Sequence, residues 1–277
     1  MNTNLERIKG IFVLFLYPAS FVYIVGIAKL PFYYLPIAFV LLVALTLVLY
    51  RKKVIENRSN YYFTSGDLGK ARKFAVQAIK NDTRNALIYL NYAVIILAEG
   101  NAKEALTLLE KACTLKRHIL TDKNIRLTLA SCHWVLGDIK KAIELLEDMR
   151  VQFEYVNAQV LTTLGYLYFL EGDTEKALEL THMSLKDSPE FASSWDNLGQ
   201  INYKNGDLSK AKSDFNNAIL YNPNLIESHY HLGLISIDEN EIEIAIQHLE
   251  TALKCPVSPL NTVTKEQVQE KYNEIKK

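Results

Sequence analysis

Six histidines and three cysteines are the residues of this 277-residue chain best suited to chemistry, and their spacing decides how much they can do. His229 and His231 are separated by one residue. On a helix that spacing puts the two imidazoles on different faces, whereas a metal pair needs them one turn apart. Cys132 and His133 are adjacent and would point apart, so no thiolate sits within hydrogen-bond reach of a base. Cys113, Cys132 and Cys255 form no C-x-x-C pair and are odd in number. They read as reduced thiols used as small apolar packing groups, which fits a cytosolic setting. The chain contains neither a G-x-x-x-x-G-K-[ST] loop nor a G-x-G-x-x-G turn. Charged residues such as Glu144, Glu147 and Lys176 fall on solvated helix faces. The expectation is a non-enzymatic protein with no catalytic residue, cofactor, metal or small-molecule substrate.

The elements that would carry these residues are repeated. Gly-Asp or Gly-Asn pairs begin at Gly66, Gly100, Gly137, Gly172 and Gly206, followed by Asn240-Glu241, at spacings of 34, 37, 35, 34 and 34 residues. Five residues after each comes an alanine: Ala71, Ala105, Ala142, Ala177, Ala211 and Ala245. Leu164-Gly165, Leu198-Gly199 and Leu232-Gly233 precede the last three turns. Self-similarity at this period marks a helical repeat array. The glycine ends one helix, and the alanine begins the next where a larger side chain would push the pair apart. Apolar residues at helical spacing (Leu106, Leu109, Ala112; Ile143, Leu146, Met149) form a seam that only a neighbouring pair can bury.

Residues 192–225 carry Trp195, Leu198, Gly199, Gly206, Ala211, Phe215, Ala218 and Pro223 in a W-x-x-L-G … A-x-x-x-F-x-x-A … P spacing. This pattern resembles the tetratricopeptide repeat. Residues 158–191 keep Leu164, Gly165, Tyr168, Gly172, Ala177 and Pro189, and residues 226–259 keep Leu232, Gly233, Ala245, Leu249 and Ala252. Residues 52–85, 86–119 and 123–156 are looser, with Ser59, Ala93 and Ala130 in place of the helix-packing glycine. At the far end, Thr264 and Gln267 are spaced for a capping box. They would open a polar-faced capping helix within 262–277, with Val268, Tyr272 and Ile275 as its apolar stripe.

Residues 1–59 are of different material. Seven of the 31 basic residues and two of the 31 acids lie there, leaving 24 basic and 29 acidic side chains to the rest. That mild negative balance argues against nucleic acid as a partner. Residues 11–50 are almost wholly apolar, with Lys29 the only charge, and divide at Lys29-Leu30-Pro31 into segments 11–28 and 31–50. Each is long enough to cross ~30 Å of hydrocarbon at ~1.5 Å per residue. Arg7 and Lys9 before the first segment, and Arg51, Lys52, Lys53 and Arg58 after the second, place both ends in the cytoplasm, residues 1–10 included. A cleaved signal peptide ending near Gly26-Ile27-Ala28, or a re-entrant hairpin, stands as an alternative. The second segment is positioned to run unbroken into the first repeat helix, which a break near residues 51–57 would refute. The fold class expected is all-α: a transmembrane hairpin, an α-solenoid of about six helix pairs, and a cap. The localisation expected is a membrane with the array facing the cytoplasm. The lysine- and asparagine-rich composition points to a bacterial cell membrane.

The resemblance implies that the first helix of each pair lines a concave groove for extended or helical protein segments. Carried over place by place, its polar row is Asn57, Asn91, Thr128, Thr163, Asn197 and His231, which would hydrogen-bond a partner's backbone. Apolar anchors would meet Val94, Trp134, Tyr166, Phe169, Tyr203 and Tyr230, with Leu90, Leu97 and Leu234 nearby. The basic clamp of chaperone-binding relatives is not supported, since Leu87, Leu90, Asn124, Leu127, Gln159 and Thr162 hold its places in the second, third and fourth repeats. An apolar or amphipathic segment is therefore the expected ligand. The function expected is a membrane-tethered scaffold or adaptor, with the bilayer contacted through 11–50. The alternative is an assembly or quality-control factor for membrane or envelope complexes that uses the hairpin for recognition.

Overall fold

The computed structural model describes residues 35–153 and 157–276. The described residues form thirteen helices and no strand. In chain order they are α1 (Leu35–Thr64), α2 (Leu68–Lys80), α3 (Ala86–Ala98), α4 (Ala102–Cys113), α5 (Ile119–Val135), α6 (Ile139–Gln152) and α7 (Ala158–Glu171). There follow α8 (Thr174–Asp187), α9 (Ala192–Lys204), α10 (Leu208–Tyr221), α11 (Ile226–Asp238), α12 (Ile242–Lys254) and α13 (Lys265–Ile275). Contacts divide the chain into two compact units, residues 1–58 and 59–277.

In the second unit the Gly-Asp signal resolves into two devices. The glycine ends one helix in the left-handed region, with φ between 81° and 90° at Gly66, Gly100, Gly137, Gly172 and Gly206. The residue after it caps the next helix: the side chains of Asp67, Asn101, Asp138, Asp173 and Asp207 each accept a backbone N–H three residues on, at 3.0–3.2 Å. This satisfies a donor that the helix itself leaves unpaired. In the last pair Asn240 takes over the left-handed position at φ 62°, and Glu241 caps without a side-chain bond.

The alanines do what their size requires. Ala71, Ala105, Ala142, Ala177, Ala211 and Ala245 are fully buried, as are Ser59, Ala93 and Ala130 opposite them. The Ser59 hydroxyl donates to the carbonyl of Ala71 at 3.3 Å. Helices pack as the pairs α3–α4, α5–α6, α7–α8, α9–α10 and α11–α12, and the second helix of each pair packs on the first helix of the next. Leu146, Met149, Leu161, Leu164 and Leu167 fill one inter-pair seam. The last seam, around Ile226 and Leu249, is closed by Val268, Tyr272 and Ile275 of α13. That helix opens with a reciprocal capping box between Thr264 and Gln267. Among the described residues every buried side-chain nitrogen or oxygen has a hydrogen-bond partner.

In the first unit the description begins at Leu35, so segment 11–28 and the start of 31–50 lie outside the described residues. Helix α1 has no break across 51–57. Its uncharged stretch, 35–50, rises only about 24 Å at ~1.5 Å per residue, against ~30 Å of hydrocarbon. Among the described residues no helix is long and apolar enough to cross a membrane. The side chains of Ile37, Leu41, Leu45 and Leu47 on α1 are exposed.

Candidate functional site

The first helices of successive repeats lie side by side: α3 beside α5, α7 beside both α9 and its own partner, and α9 beside α11. Where α5, α7, α9 and α11 meet, a pocket of about 200 Å³ opens. Its wall is aromatic, with the rings of Trp134 and Tyr166 centred 5.4 Å apart and Phe169 5.8 Å beyond Tyr166. Its floor is acidic and polar.

The floor is a chain of hydrogen bonds running between repeats. The Tyr166 hydroxyl donates to Oε1 of Gln200 at 3.2 Å, and Nε2 of Gln200 donates to Oδ2 of Asp196 at 2.7 Å. The Ser228 hydroxyl donates to the other oxygen, Oδ1. Glu227 lies alongside and accepts from Nδ2 of Asn261 at 2.8 Å and from the backbone N–H of Thr262 at 3.0 Å. The connection between α12 and α13 thus reaches back to line the same pocket. Asp196 and Glu227 are only 7% and 6% exposed, and every donor named on them is neutral. Burial, and secondarily the charge of Glu227, push the Asp196 carboxyl up to about 7, against the pull of the Ser228 and Gln200 hydrogen bonds. Burial likewise pushes the Tyr166 hydroxyl up to about 12.

Five of the six residues of the expected polar row, all but Asn57, make hydrogen bonds within the protein. Nδ2 of Asn197 donates to the carbonyl of Thr162 and Nδ2 of Asn91 to Oδ1 of Asn60, both at 3.0 Å. The Thr128 and Thr163 hydroxyls donate to the carbonyls of Asn124 and Gln159, one turn back on their own helices. His231 places Nδ1 on the Glu227 carbonyl at 2.8 Å and stacks on Phe215, with Tyr203 and Tyr230 edge-on. Asn57 is exposed on α1 within the first unit, and Val94 is half-buried on α3. Of the expected residues, the pocket brings together Trp134, Thr163, Tyr166 and Asn197. Phe169 stands behind Tyr166, and Tyr203, Tyr230 and His231 form a separate aromatic cluster.

Sequence reasoning missed both acids, and a signal for them was available. Ser193 with Asp196, and Glu227 with Tyr230, occupy in the last two repeats the places that Asn124 with Leu127, and Gln159 with Thr162, occupy earlier. The second to fourth repeats hold no charge at these places, and the acids begin in the fifth. The cysteines divide: Cys132 and Cys255 are buried, and burial pushes the Cys132 thiol up to about 12, whereas Cys113 is exposed. His229 meets a partner the sequence did not indicate, His248, with Nδ1 to Nδ1 at 3.2 Å. Among the described residues no three metal-ligating side chains converge.

Family models described as tetratricopeptide repeat match residues 57–118, 97–154 and 192–225. The matched stretches carry the tetratricopeptide repeat, and the helix pairs stack as an α-solenoid. No curated protein matches it in sequence. Among solved structures it is similar to a chain of the APC/C hetero-tetramer Cut9-Hcn1, with 20% identity over 83% of this chain and 46% of that one, at a TM-score of 0.63. It thus spans about half the length of that chain. It is also similar to a thermophilic tetratricopeptide protein of Thermus thermophilus, with 18% identity over 69% of this chain and 98% of the other, at a TM-score of 0.56. A tetratricopeptide protein of Parabacteroides merdae shares 16% identity over 82% of this chain and 99% of its own, at a TM-score of 0.55. At these identities the likeness is one of fold.

Proposed function

We propose that this protein is a membrane-tethered interaction scaffold, gathering protein partners on the face made by the first helices of its repeats. The observation that carries this reading is the pocket shared by four successive first helices, with Trp134 and Tyr166 as rigid walls. Aromatic side chains in such hollows supply large contact area at little conformational cost. The tether rests on the apolar run 11–50 and its basic flanks, which orient the array toward the cytoplasm. The partners are peptide or helical segments of other proteins.

The test places a photo-crosslinking amino acid at Ser193, exposed at the pocket mouth, in the full chain in its native membrane. A second variant carries it at Leu220, 72% exposed on α10 away from the pocket lining. Partners captured from position 193 and lost on Trp134→Ala with Tyr166→Ala support the reading. Equal capture from both positions sinks it.

A second reading has its own observation. The exposed apolar side chains of α1, among them Ile37, Leu41 and Leu45, form a surface that water does not favour. In an assembly or quality-control factor that surface recognises membrane partners. Replacing residues 1–50 by an unrelated two-span anchor separates the two: a tether survives the swap, and a recognition element does not.

A further inference from the structure

We propose that the pocket between α5, α7, α9 and α11 accepts a basic side chain, arginine above all, projecting from the bound partner segment. This inference rests on the groove reading above and names the chemistry of its anchor. Its basis is charge complementarity. Asp196 and Glu227 are two buried carboxylates facing one cavity, and no Lys or Arg is among the residues lining it. Two half-buried carboxylates elsewhere in this solenoid have cations: Asp122 is bonded by both Arg117 and Arg126, and Glu147 by Arg150 and Lys176. Only neutral groups are bonded to Asp196 and Glu227: Ser228, Gln200, Asn261 and the Thr262 amide. An uncompensated buried acid pair is costly to keep, and an incoming cation supplies the missing charge.

The shape of the site selects arginine. A guanidinium is planar, carries donors in a fixed fork, and stacks on aromatic faces more readily than an ammonium does. Trp134 and Tyr166 offer those faces beside the two acids. A volume of about 200 Å³ holds several waters' worth of space, enough for one long side chain to displace them.

A titration signature comes with the proposal. The titratable groups facing Asp196 are Glu227 on α11 and Tyr166 on α7. With its carboxyl at about 7, Asp196 is largely protonated at pH 6 and largely ionised at pH 8. A cation binds the ionised form, so protons compete with it, and arginine itself does not titrate in this range.

The experiment uses the purified full chain in detergent and three end-blocked, fluorescein-labelled nonapeptides of Ala and Leu. They differ only in a central arginine, norleucine or glutamate, and binding is read by fluorescence anisotropy at pH 6, 7 and 8. The arginine peptide is expected to bind at least tenfold more tightly than the norleucine peptide at pH 8, and about tenfold more weakly at pH 6. The glutamate peptide is the weakest throughout, and the norleucine peptide is insensitive to pH. Asp196→Asn and Glu227→Gln, each checked for unchanged helicity, reduce the arginine preference to under threefold. If arginine and norleucine peptides bind alike, the groove reading stands and the basic-anchor inference falls. If no peptide binds the folded protein, both fall. The wild-type pH series decides the point even where a variant fails to fold.

Discussion

The side-chain amide of Asn197 on α9 donates to the backbone carbonyl of Thr162 on α7, 3.0 Å away and one repeat upstream. Asn197 is buried, and Thr162 in turn shares its hydroxyl with Ser184 and Ser194. The amide is a strut between neighbouring first helices. Asn197→Ala removes the donor and leaves a small void, at a cost of about 1–2 kcal/mol. The expected result is a lower melting temperature of the full-length protein by circular dichroism. A norleucine peptide should still bind the residual folded protein, and an unchanged melting curve would show that the strut carries no weight.

Gly199 makes a sharper case, because what matters there is space. A methyl group built on Gly199 would sit 2.6 Å from the ring of Phe215, whereas one on Gly69 finds only the Asp67 side chain at 3.9 Å. Gly199→Ala is therefore expected to destabilise by roughly 1–3 kcal/mol through overpacking. Gly69→Ala, exposed in the first turn of α2, is expected to be neutral or to stabilise by up to about 1 kcal/mol through helix propensity. Thermal melts of the two variants side by side check the contrast. Phe215→Leu should restore part of the loss at Gly199, because the ring and not the backbone is the obstacle.

The architecture was legible where one residue answers one local demand. A glycine five residues before an alanine marks a left-handed helix end, a cap and a close crossing, and each of these reaches only one turn along the chain. Even the last repeat was readable, since asparagine tolerates the left-handed conformation at Asn240. The site was less legible because its bonds connect residues 32 to 35 apart: Ser228 to Asp196, Asn261 and Thr262 to Glu227, Asn197 to Thr162. Periodicity says that neighbouring repeats touch, but not whether an amide at the sixth place faces a ligand or the next helix. That depends on offsets of a few ångströms in the stacking. Nor could it show that the connection after α12 folds back onto Glu227.

The pair His229–His248 predicts acid sensitivity in the last repeat. Nε2 of His229 donates to the Pro223 carbonyl at 3.0 Å, so its Nδ1 is the acceptor for Nδ1–H of His248 at 3.2 Å. Protonating His229 turns that acceptor into a donor facing a donor. Burial lowers both pKa values from 6.5, and the neighbouring ring lowers that of His248 further. The folded state then holds fewer protons than the unfolded one below that value. Stability is therefore fully present above pH 6.5 and is lost as pH falls through and below it. Melting temperatures at pH 7.5, 6.5 and 5.5 should fall in that order, and His248→Gln should flatten the slope. A slope the same in that variant would mean that acid acts elsewhere.

Asp196 should behave in the opposite sense. Its folded-state carboxyl is raised from 3.8 to about 7, so the stability it contributes is fully present below the unfolded value and is lost as pH rises through 7. At pH 8 the wild-type protein holds a desolvated charge beside Glu227. Asp196→Asn removes that charge while keeping an acceptor for Ser228. Because an asparagine amide must also donate, the Gln200 amide has to turn its oxygen toward it, and Tyr166 then loses its acceptor. The net effect is a gain of roughly 1–2 kcal/mol at pH 8 that shrinks toward zero by pH 5. Melts of wild type and variant at the two pH values give the answer directly. A residue whose replacement stabilises the fold is kept for something other than folding, and strongly shifted groups in a cleft gather where ligands bind. Stabilisation at pH 8 combined with loss of arginine-peptide binding would place Asp196 among them. Destabilisation at both pH values would make it a structural acid whose hydrogen bonds outweigh the cost of its burial.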